Sequence, residues 1–427
     1  MSSTFSIALS ALQAQSEAID TTGNDLANLN TTGFKGNTVA FKDLFNQALG
    51  ANSQFQVGLG VGVPISDTDF GQGAIQSSTS PYAAAIQGNG FFVVNNPSGQ
   101  QLYTRDGDFT LDSSGTLKTQ TGETVQGWTA TASGLNTSVA PSDIVLPTGS
   151  VLPPVTSTQF SITANLDAAG VAGQTSGTVS APVQVVDSLG NTHTLTFTFT
   201  KSATTANTWN YSATIPGADV SAGTSGSPYT VPGASGTLTF DANGNIQSAT
   251  PTGATAPASG PIPITLSGLT DGAGNLSLNW NTTDSSGTGL FTQYAETSSS
   301  SYKTDGSAAA QLSGFAIQTG GQLVATYSNG KQQVEAQLAL ASIQNPSSLS
   351  SVGNNNYAAT NQTATAAIGV PQSGGRGQID GGALEASNVD MATQFTNLIV
   401  YQSGYQAASK VITTANTMTQ DLLNIIH

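Results

Sequence analysis

The sequence predicts a multidomain α+β fold, in which α-helices at both ends of the chain flank two mainly-β domains, the second inserted into the first. Three observations support this prediction. Apolar residues recur every three or four positions near both ends, as in helices that form coiled coils. Between the ends, short alternating stretches are separated by turn signals, which is typical of strands. The composition also changes within this middle part, which indicates a second domain.

The N-terminal helix is predicted within residues 1–34. Its seam, meaning the positions with coiled-coil spacing, consists of Phe5, Ala8, Leu12, Gln15, Ile19, Thr22, Leu26 and Leu29. Gly33 suits a C-terminal stop, and the helix is expected to weaken at residues 21–23, where two threonines and a glycine lower helix propensity. Residues 35–70 are interpreted as a linker or arm.

The next part of the chain reads as strands joined by tight turns. Residues 91–94 resemble a short buried strand, and turn pairs such as Asp106-Gly107 and Thr121-Gly122 recur about every eight residues, as in successive hairpins. Residues 285–365 return to this pattern after a different stretch. We therefore predict one discontinuous β domain formed by residues 71–145 plus 285–365.

Residues 146–284 differ from their flanks, because they are richer in Ser, Thr, Gly and Pro and poorer in charge. Within them Leu195, Phe197 and Phe199 alternate with threonines, which predicts a half-buried strand. Trp209 and Tyr211 are typical of a neighbouring strand. The stretch is predicted to form an inserted outer β domain, either a sandwich or a barrel.

Residues 366–386 form a glycine-rich arm that leads to a predicted C-terminal helix at residues 387–427. Ser387 and Asp390 have the spacing of a capping box. The seam of this helix consists of Leu398, Tyr401, Tyr405, Ala408, Ile412, Ala415, Thr419, Leu422 and Ile426. Such a helix would be about 58 Å long, which exceeds the width of a small domain.

Two interpretations of the seams remain open. The two ends could pair with each other as a helical hairpin, or other copies of the chain could complete the seams. The second is favoured, because the middle of the chain offers no helical companions. The residues predicted to form this assembly interface are Phe5, Leu12, Ile19, Leu26, Leu29, Leu398, Tyr405, Ile412, Leu422 and Ile426.

Composition excludes several classes of function. The chain has 427 residues, of which only 8% are charged, and its formal net charge is −15. Its nine basic residues are scattered, so no cationic surface for nucleic acid or anionic lipid is expected. There is no cysteine and no apolar run long enough to span a membrane. The N-terminal sequence does not resemble a cleaved signal peptide.

The sequence offers little catalytic chemistry. With only two histidines, His193 and His427, neither a triad nor a zinc site is expected, and no cofactor or metal site is predicted. The Asp241-Ala242-Asn243-Gly244-Asn245 stretch is interpreted as a hairpin turn rather than a calcium loop. Asp106 and Asp108 suit turn chemistry better than a catalytic carboxylate pair. The tryptophans at 128, 209 and 280 are expected in the core rather than in a sugar-binding platform.

Three motifs in a fixed order resemble those of the bacterial flagellar axial proteins, the rod, hook and hook-associated subunits. The first is LANLNTTGFK at residues 26–35. The second comprises GNGFFVV at 88–94, YTRDGDFTLDSSGTL at 103–117 and VQGW at 125–128. The third is LEASNVD at 384–390. The matching motif residues are Asn28, Asn30, Gly33, Phe34, Gly90, Phe91, Phe92, Thr104, Arg105, Gly107, Phe109, Glu385, Ser387, Asn388, Val389 and Asp390.

Within this family, the length and the inserted domain resemble the hook subunit. The resemblance implies a non-enzymatic homopolymer whose terminal helices form the inner layer of a hollow tube, exported by the flagellar type III apparatus to the extracellular flagellum. It also implies contacts with the distal rod, the hook cap and the hook–filament junction proteins, and no nucleic acid or membrane insertion. The alternatives are another axial subunit of the distal rod type, a Ser/Thr-rich adhesin or carbohydrate-binding protein, and a polysaccharide hydrolase.

Overall fold

A computed structural model describes residues 2–45, 58–131, 134–254, 256 and 260–426, with side chains described except in residues 2–4, 45, 58–59 and 422–426. The chain divides into two compact units. Unit 1 comprises Met1–Thr148, Ser313–Thr326 and Gln332–His427. Unit 2 comprises Gly149–Leu312 and Tyr327–Lys331.

The first part of unit 1 contains one helix followed by short strands. They are α1 (Ser2–Ala27), β1 (Asn37–Ala40), β2 (Asp43–Phe45), β3 (Gly58–Val61), β4 (Ile65–Thr68), β5 (Ile75–Ser77), β6 (Ala84–Gln87), β7 (Phe91–Asn95), β8 (Gln101–Thr104), β9 (Phe109–Leu111), β10 (Leu117–Thr119), β11 (Thr124–Thr131), β12 (Gly134–Leu135) and β13 (Ser142–Asp143).

Unit 2 follows with longer strands. They are β14 (Val151–Leu152), β15 (Gln159–Asn165), β16 (Thr178–Val186), β17 (Thr192–Lys201), β18 (Thr208–Pro216), β19 (Pro228–Phe240), β20 (Ile246–Pro251), β21 (Ile262–Leu266), β22 (Leu276–Asn281), β23 (Phe291–Thr292) and β24 (Ser299–Thr304). A single turn of 3₁₀ helix covers Thr175–Gly177.

The remaining elements lead back through unit 1 to the second helix. They are β25 (Ala310–Ile317), β26 (Gln322–Tyr327), β27 (Gln332–Leu338), β28 (Leu340–Ser342), β29 (Ser350–Gly353), β30 (Asn356–Ala358), β31 (Ala367–Gly369), β32 (Gln378–Gly381), β33 (Ala383–Glu385) and α2 (Met391–Ile426), with a 3₁₀ turn at Pro346–Ser348.

The β part of unit 1 is built from both flanks of the insertion. Its central path runs β25–β26–β27–β11–β7–β8–β30–β29, so strands from before and after unit 2 are interleaved. The aromatic side chains of Phe91, Tyr103, Trp128 and Tyr357 form its core. On the other face of β7, the Phe92 ring meets the Phe109 ring edge to face at 5.1 Å.

Unit 2 consists of two sheets that share one core. The strands β16–β17–β18–β19–β20 form one antiparallel sheet, while β21, β22, β15, β23 and β24 form the other. Phe197 from the first sheet packs on Trp280 from the second, with ring centroids 5.0 Å apart. The alternation of Leu195, Phe197 and Phe199 with threonines therefore places each apolar side chain in this core. This arrangement is a sandwich.

The insertion ends later than residue 284, the boundary predicted from composition. Residues 285–312 belong to unit 2 and not to the first β domain, because β23 pairs parallel to β15 and β24 pairs antiparallel to it. The start of unit 2 at Gly149 lies three residues beyond the predicted 146.

The linker and the arm are partly ordered as strands. In the predicted linker at residues 35–70, β1 pairs with β4. The predicted arm at residues 366–386 contains β32 and β33, which pair with β6 and β5. Residues 46–57 of the linker lie outside the described part of the chain.

The helices also differ in detail from the predictions. The helix α1 continues through residues 21–23 to Ala27, and the hydroxyls of Thr21 and Thr22 bond to the carbonyls of Glu17 and Ala18. The expected weak point is therefore absent. The helix α2 begins at Met391, and Asp390 caps it by accepting the Thr393 amide at 2.7 Å. Ser387 does not cap the helix and instead accepts the Val389 amide at 3.3 Å.

Candidate assembly site

The helices α1 and α2 pack against each other in an antiparallel hairpin. Gln15 lies beside Gly404, and nearer the base of the hairpin Gln394 donates a hydrogen bond to Asp25 at 3.4 Å. Ala14 and Ala18 of α1 are buried, as is Ala408 of α2. The small side chains let the two backbones approach closely.

The predicted seams are partly covered by this intramolecular contact. The half-buried seam residues are Leu12, Gln15, Ile19, Leu26, Leu29, Leu398, Tyr401, Ile412 and Ala415. Phe5 and Tyr405 are exposed, and the side chains of Leu422 and Ile426 lie outside the described part of the chain. The interpretation that the two ends pair as a helical hairpin therefore describes the single chain, in which each helix covers part of the other. Their role in contacts between copies stays a prediction.

Outside its contact with α1, the helix α2 has an exposed apolar stripe at intervals of four residues, formed by Met391, Phe395 and Ile399. Val400, Val411 and Met418 are also exposed, on a different side of the helix. In α1, Ile7 and Leu9 are exposed beside Phe5. This stripe was not predicted from the sequence, because a helix with apolar residues on two faces gives no local signal for which face meets the partner helix.

A buried ion cluster lies at the base of the hairpin, where the two chain ends join the β part of unit 1. Glu385 is fully buried, and its carboxylate accepts hydrogen bonds from Lys35 Nζ at 2.7 Å and from Arg105 Nη1 at 3.3 Å. It also accepts the Gly73 amide at 2.8 Å. Burial lowers the pKa of Lys35, while the Glu385 carboxylate opposes that shift. One anion thus holds cations from two different segments.

Backbone and amide contacts extend this junction, which we define as Gly33, Lys35, Arg105, Glu385 and Asn388. The Gly33 amide donates to the Glu385 carbonyl at 2.7 Å, and Asn388 Oδ1 accepts the Gly36 amide at 2.8 Å. Gly33 has a φ of +67°, and a Cβ there would lie 2.6 Å from the Asp106 nitrogen. Only glycine fits, because the position combines a left-handed backbone with a close approach.

The structure brings most family-motif residues either to this junction or into the adjoining core. Phe91, Phe92 and Phe109 are core residues, and the Arg105 guanidinium lies 5.3 Å from the centre of the Phe91 ring. Gly107 lies so close to the Ala84 carbonyl that a Cβ cannot fit.

The other motif residues lie near these groups. Thr104 donates to the Asn355 carbonyl at 2.9 Å, and Asn28 donates to the Asn24 carbonyl at 2.9 Å. Phe34, Ser387 and Val389 are half-buried, whereas Asn30 and Asp390 are exposed. Gly90 has a φ of +132°, just before β7.

Neither Asp25 nor Lys35 was predicted from the sequence to have a role at this site. Asp25 is fully buried in α1, accepts the Asn37 amide at 2.9 Å, and has a pKa raised by burial. A charged residue among buried helix positions was the available signal for Asp25. Lys35 lies within the first motif, directly after Phe34, which was its signal.

The tryptophans do not form a binding platform. All three are buried, and the Nε1 atoms of Trp128 and Trp209 donate to Val139 O and Gln293 Oε1. In the Asp241 turn, the carboxylate accepts the amides of Asn243 and Asn245, which is ordinary turn chemistry. Neither feature favours a carbohydrate-binding function.

Family models match four parts of the chain in order. They are the flagella basal body rod protein at residues 5–35, the flagellar hook protein FlgE/F/G D1 domain at 85–181, the flagellar basal body protein FlaE D2 domain at 156–307 and the flagellar basal body rod FlgEFG protein C-terminal region at 380–425. Together with the paired terminal helices and the two β units, these matches define a structural subunit of the flagellar axis.

Whole-chain relatives specify which subunit. The chain is 34% identical to the flagellar hook protein FlgE of Treponema pallidum, covering 98% of both chains. It is 32% identical to those of Borreliella burgdorferi, covering 98% of both chains, and Salmonella typhimurium, covering 99% of both. The chain therefore belongs to the flagellar hook protein FlgE family, and its function is that of a hook structural subunit. The adhesin and distal-rod alternatives are not favoured. Within the described residues, neither helix is long and apolar enough to cross a membrane.

Proposed function

We propose that this chain polymerises into the flexible, hollow tube of the hook, with the α1–α2 hairpins lining its interior and the β units forming its wall. The observation that carries this proposal is the exposed stripe of α2, where Ile399 is 63% and Phe395 50% exposed in the single chain. A row of exposed apolar side chains on a helix indicates a contact surface. Family membership supports other copies of the same chain as that partner.

The proposed contact depends on apolar burial rather than on ion pairs. Within α2 the only charged residues are Lys410 and Asp421. Heterologous contacts that do not close into a ring produce a helical filament. Because apolar contacts are not directional, neighbouring copies can slide slightly without breaking specific pairs, which suits a tube that bends as it turns.

The junction has a separate role in this proposal. It fixes the base of the hairpin to the β part of unit 1 through Lys35, Arg105 and Glu385. Torque applied to the inner helices is thereby transmitted to the wall of the tube. The motif residues at this point serve the fold of each subunit, whereas the exposed stripe serves contacts between subunits.

The test is polymerisation of the purified protein with Ile399→Ser. Burying an isoleucine side chain contributes about 1.5–3 kcal/mol, so its loss raises the critical concentration for polymerisation about tenfold or more. The matched control is Val171→Ser, which removes a side chain of similar exposure, 59%, from unit 2. Sedimentation and electron microscopy measure polymer, and thermal unfolding checks that the monomer is intact. Equal critical concentrations for the two variants would contradict the proposal.

At its ends, the polymer is proposed to contact the distal rod, the hook cap and the hook–filament junction proteins. The chain is further proposed to leave the cell through the flagellar type III apparatus with its N-terminal helix uncleaved. That helix supplies half of the hairpin, so its removal is incompatible with assembly. Mass spectrometry of protein from isolated hooks tests this point, since a mature chain that begins beyond α1 would contradict it.

A further inference from the structure

Unit 2 contains a cluster of one histidine and three aspartates, apart from the hairpin and the junction of unit 1. His193, near the start of β17, is buried, and both of its ring nitrogens face carboxylates. Its Nε2 lies 3.3 Å from Asp187 Oδ2 and 3.2 Å from Asp271 Oδ2, and its Nδ1 lies 3.1 Å from Asp219 Oδ2. The cluster was not predicted from the sequence, because Asp219 and Asp271 are far along the chain from Asp187 and His193.

The spacing of three of these atoms fits a metal ion. Nε2 and the carboxylate oxygens of Asp187 and Asp271 all lie within 4.8 Å of one another. Zn²⁺ binds nitrogen and oxygen ligands at about 2.0–2.2 Å, and in a tetrahedral site this places neighbouring ligand atoms about 3.3–3.5 Å apart. The observed separations of Nε2 from the two oxygens, 3.3 and 3.2 Å, are close to that value.

The third carboxylate, that of Asp219, has the position of an orienting group. Asp219 faces Nδ1, and a carboxylate that accepts the Nδ1 proton leaves the lone pair of Nε2 directed at the other two aspartates. Asn191 donates its side-chain amide to Oδ2 of both, at 3.4 Å to Asp187 and 3.1 Å to Asp271. In that tautomer a lone pair and two anionic oxygens repel each other, and a positive centre between them stabilises the arrangement.

The negative charge of the three carboxylates favours a divalent ion over a single proton as the positive centre beside His193. The Asp187 side chain is fully buried, and among the described residues no lysine or arginine forms an ion pair with any of the three carboxylates. A proton on His193 would supply one positive charge against three negative ones, whereas a divalent ion supplies two. The Asp271 side chain is 23% exposed, which leaves a route from solvent.

We propose that Asp187, His193 and Asp271 bind a divalent transition-metal ion, Zn²⁺ in the first instance, with solvent in the remaining position. One imidazole with two carboxylates is a donor set suited to zinc. The ion joins the turn between β16 and β17, in one sheet of unit 2, to the turn between β21 and β22, in the other. It therefore clamps one end of the sandwich, independently of how the chain assembles.

The test uses the full-length chain, stripped of metal and kept at concentrations below those of polymerisation. Calorimetric titration with ZnCl₂ is expected to show a site that Asp271→Asn weakens about tenfold or more. The matched control is Asp241→Asn, because Asp241 begins a similar Asp-to-Asn turn in the same unit that contains no histidine. The control is expected to bind as tightly as the natural chain.

A second measurement does not depend on affinity. Co²⁺ in place of Zn²⁺ is expected to give a visible absorption spectrum of four-coordinate type, which Asp241→Asn retains and Asp271→Asn loses. Circular dichroism checks that both variants are folded. Absence of zinc binding at millimolar concentration, or equal binding and spectra in the two variants, would overturn the proposal and leave a proton as the positive centre.

Discussion

Glu385 holds two buried cations, so its removal has a larger effect than the loss of a surface charge. The variant Glu385→Ala leaves Lys35 and Arg105 buried without their carboxylate. Breaking a buried ion pair in this way costs about 3–5 kcal/mol. We expect a fall of this size in the free energy of unfolding of unit 1, measured by chemical denaturation. The exposed Glu17→Ala is the control, and a similar effect of both substitutions would contradict the assigned role.

Ionisation of Asp106 makes the free energy of unfolding of unit 1 decrease as pH rises. Burial, with the charges of Asp108 and Glu123, raises the pKa of Asp106 to about 6. Since the folded pKa lies above the ordinary value of 3.8, the folded state binds the proton more tightly. The free energy of unfolding contributed by this group is therefore greatest below about pH 4 and falls as pH rises to about 6.

The variant Asp106→Asn removes this dependence. Its side-chain oxygen can still accept the Asp108 amide, which Asp106 Oδ1 accepts at 3.0 Å. We expect Asp106→Asn to gain about 1–2 kcal/mol relative to the natural chain between pH 4 and pH 7, from the conversion of a pKa shift into free energy. Denaturation curves at both pH values provide the measurement. If the free energies of unfolding of the two proteins differed by the same amount at pH 4 and pH 7, Asp106 would be ionised in the folded state at both values.

The two helices respond differently to alanine at their internal glycines. A Cβ at Gly23 in α1 would meet nothing within 4 Å, whereas at Gly404 in α2 it would lie 2.9 Å from the Gln15 carboxamide. Replacing a helix-interior glycine with alanine stabilises a helix by about 1 kcal/mol. We expect the full gain for Gly23→Ala and a smaller one for Gly404→Ala, from thermal unfolding followed at 222 nm. The opposite order would contradict the hairpin packing.

The spacing of apolar residues predicted a strand or helix correctly where all of those residues pack into a single core. The alternation at Leu195, Phe197 and Phe199 reflects a single sandwich core, and the two terminal helices follow from their spacing. The cap of α2 was less predictable, because Ser387 and Asp390 both have capping side chains and the preceding strand pairing decides where the helix starts. The pairing of the helices was not predictable, since either apolar face could have met the partner.

Contacts between residues far apart along the chain explain the remaining differences between the predicted and the observed organisation of the whole chain. The predicted boundary at residue 284 rested on a change in composition, but β15 gathers β22, β23 and β24 around itself from far along the chain. Similarly, the junction unites Lys35, Arg105 and Glu385, whose motifs were visible in the sequence while their contact was not. The motifs thus indicated which residues are important, and only the fold shows what each contacts.

The insertion enters and leaves on neighbouring strands, which makes unit 2 removable. In antiparallel pairing, Leu152 of β14 lies opposite Ala310 of β25. Replacing residues 153–309 with Asn-Gly closes this pair with a two-residue hairpin turn. We expect calorimetry to show that unit 1 keeps its own unfolding transition while that of unit 2 disappears. Unit 1 has its own core around Phe91 and Trp128, so it does not need the sandwich to fold. A variant without any cooperative transition would show instead that the two units fold only together.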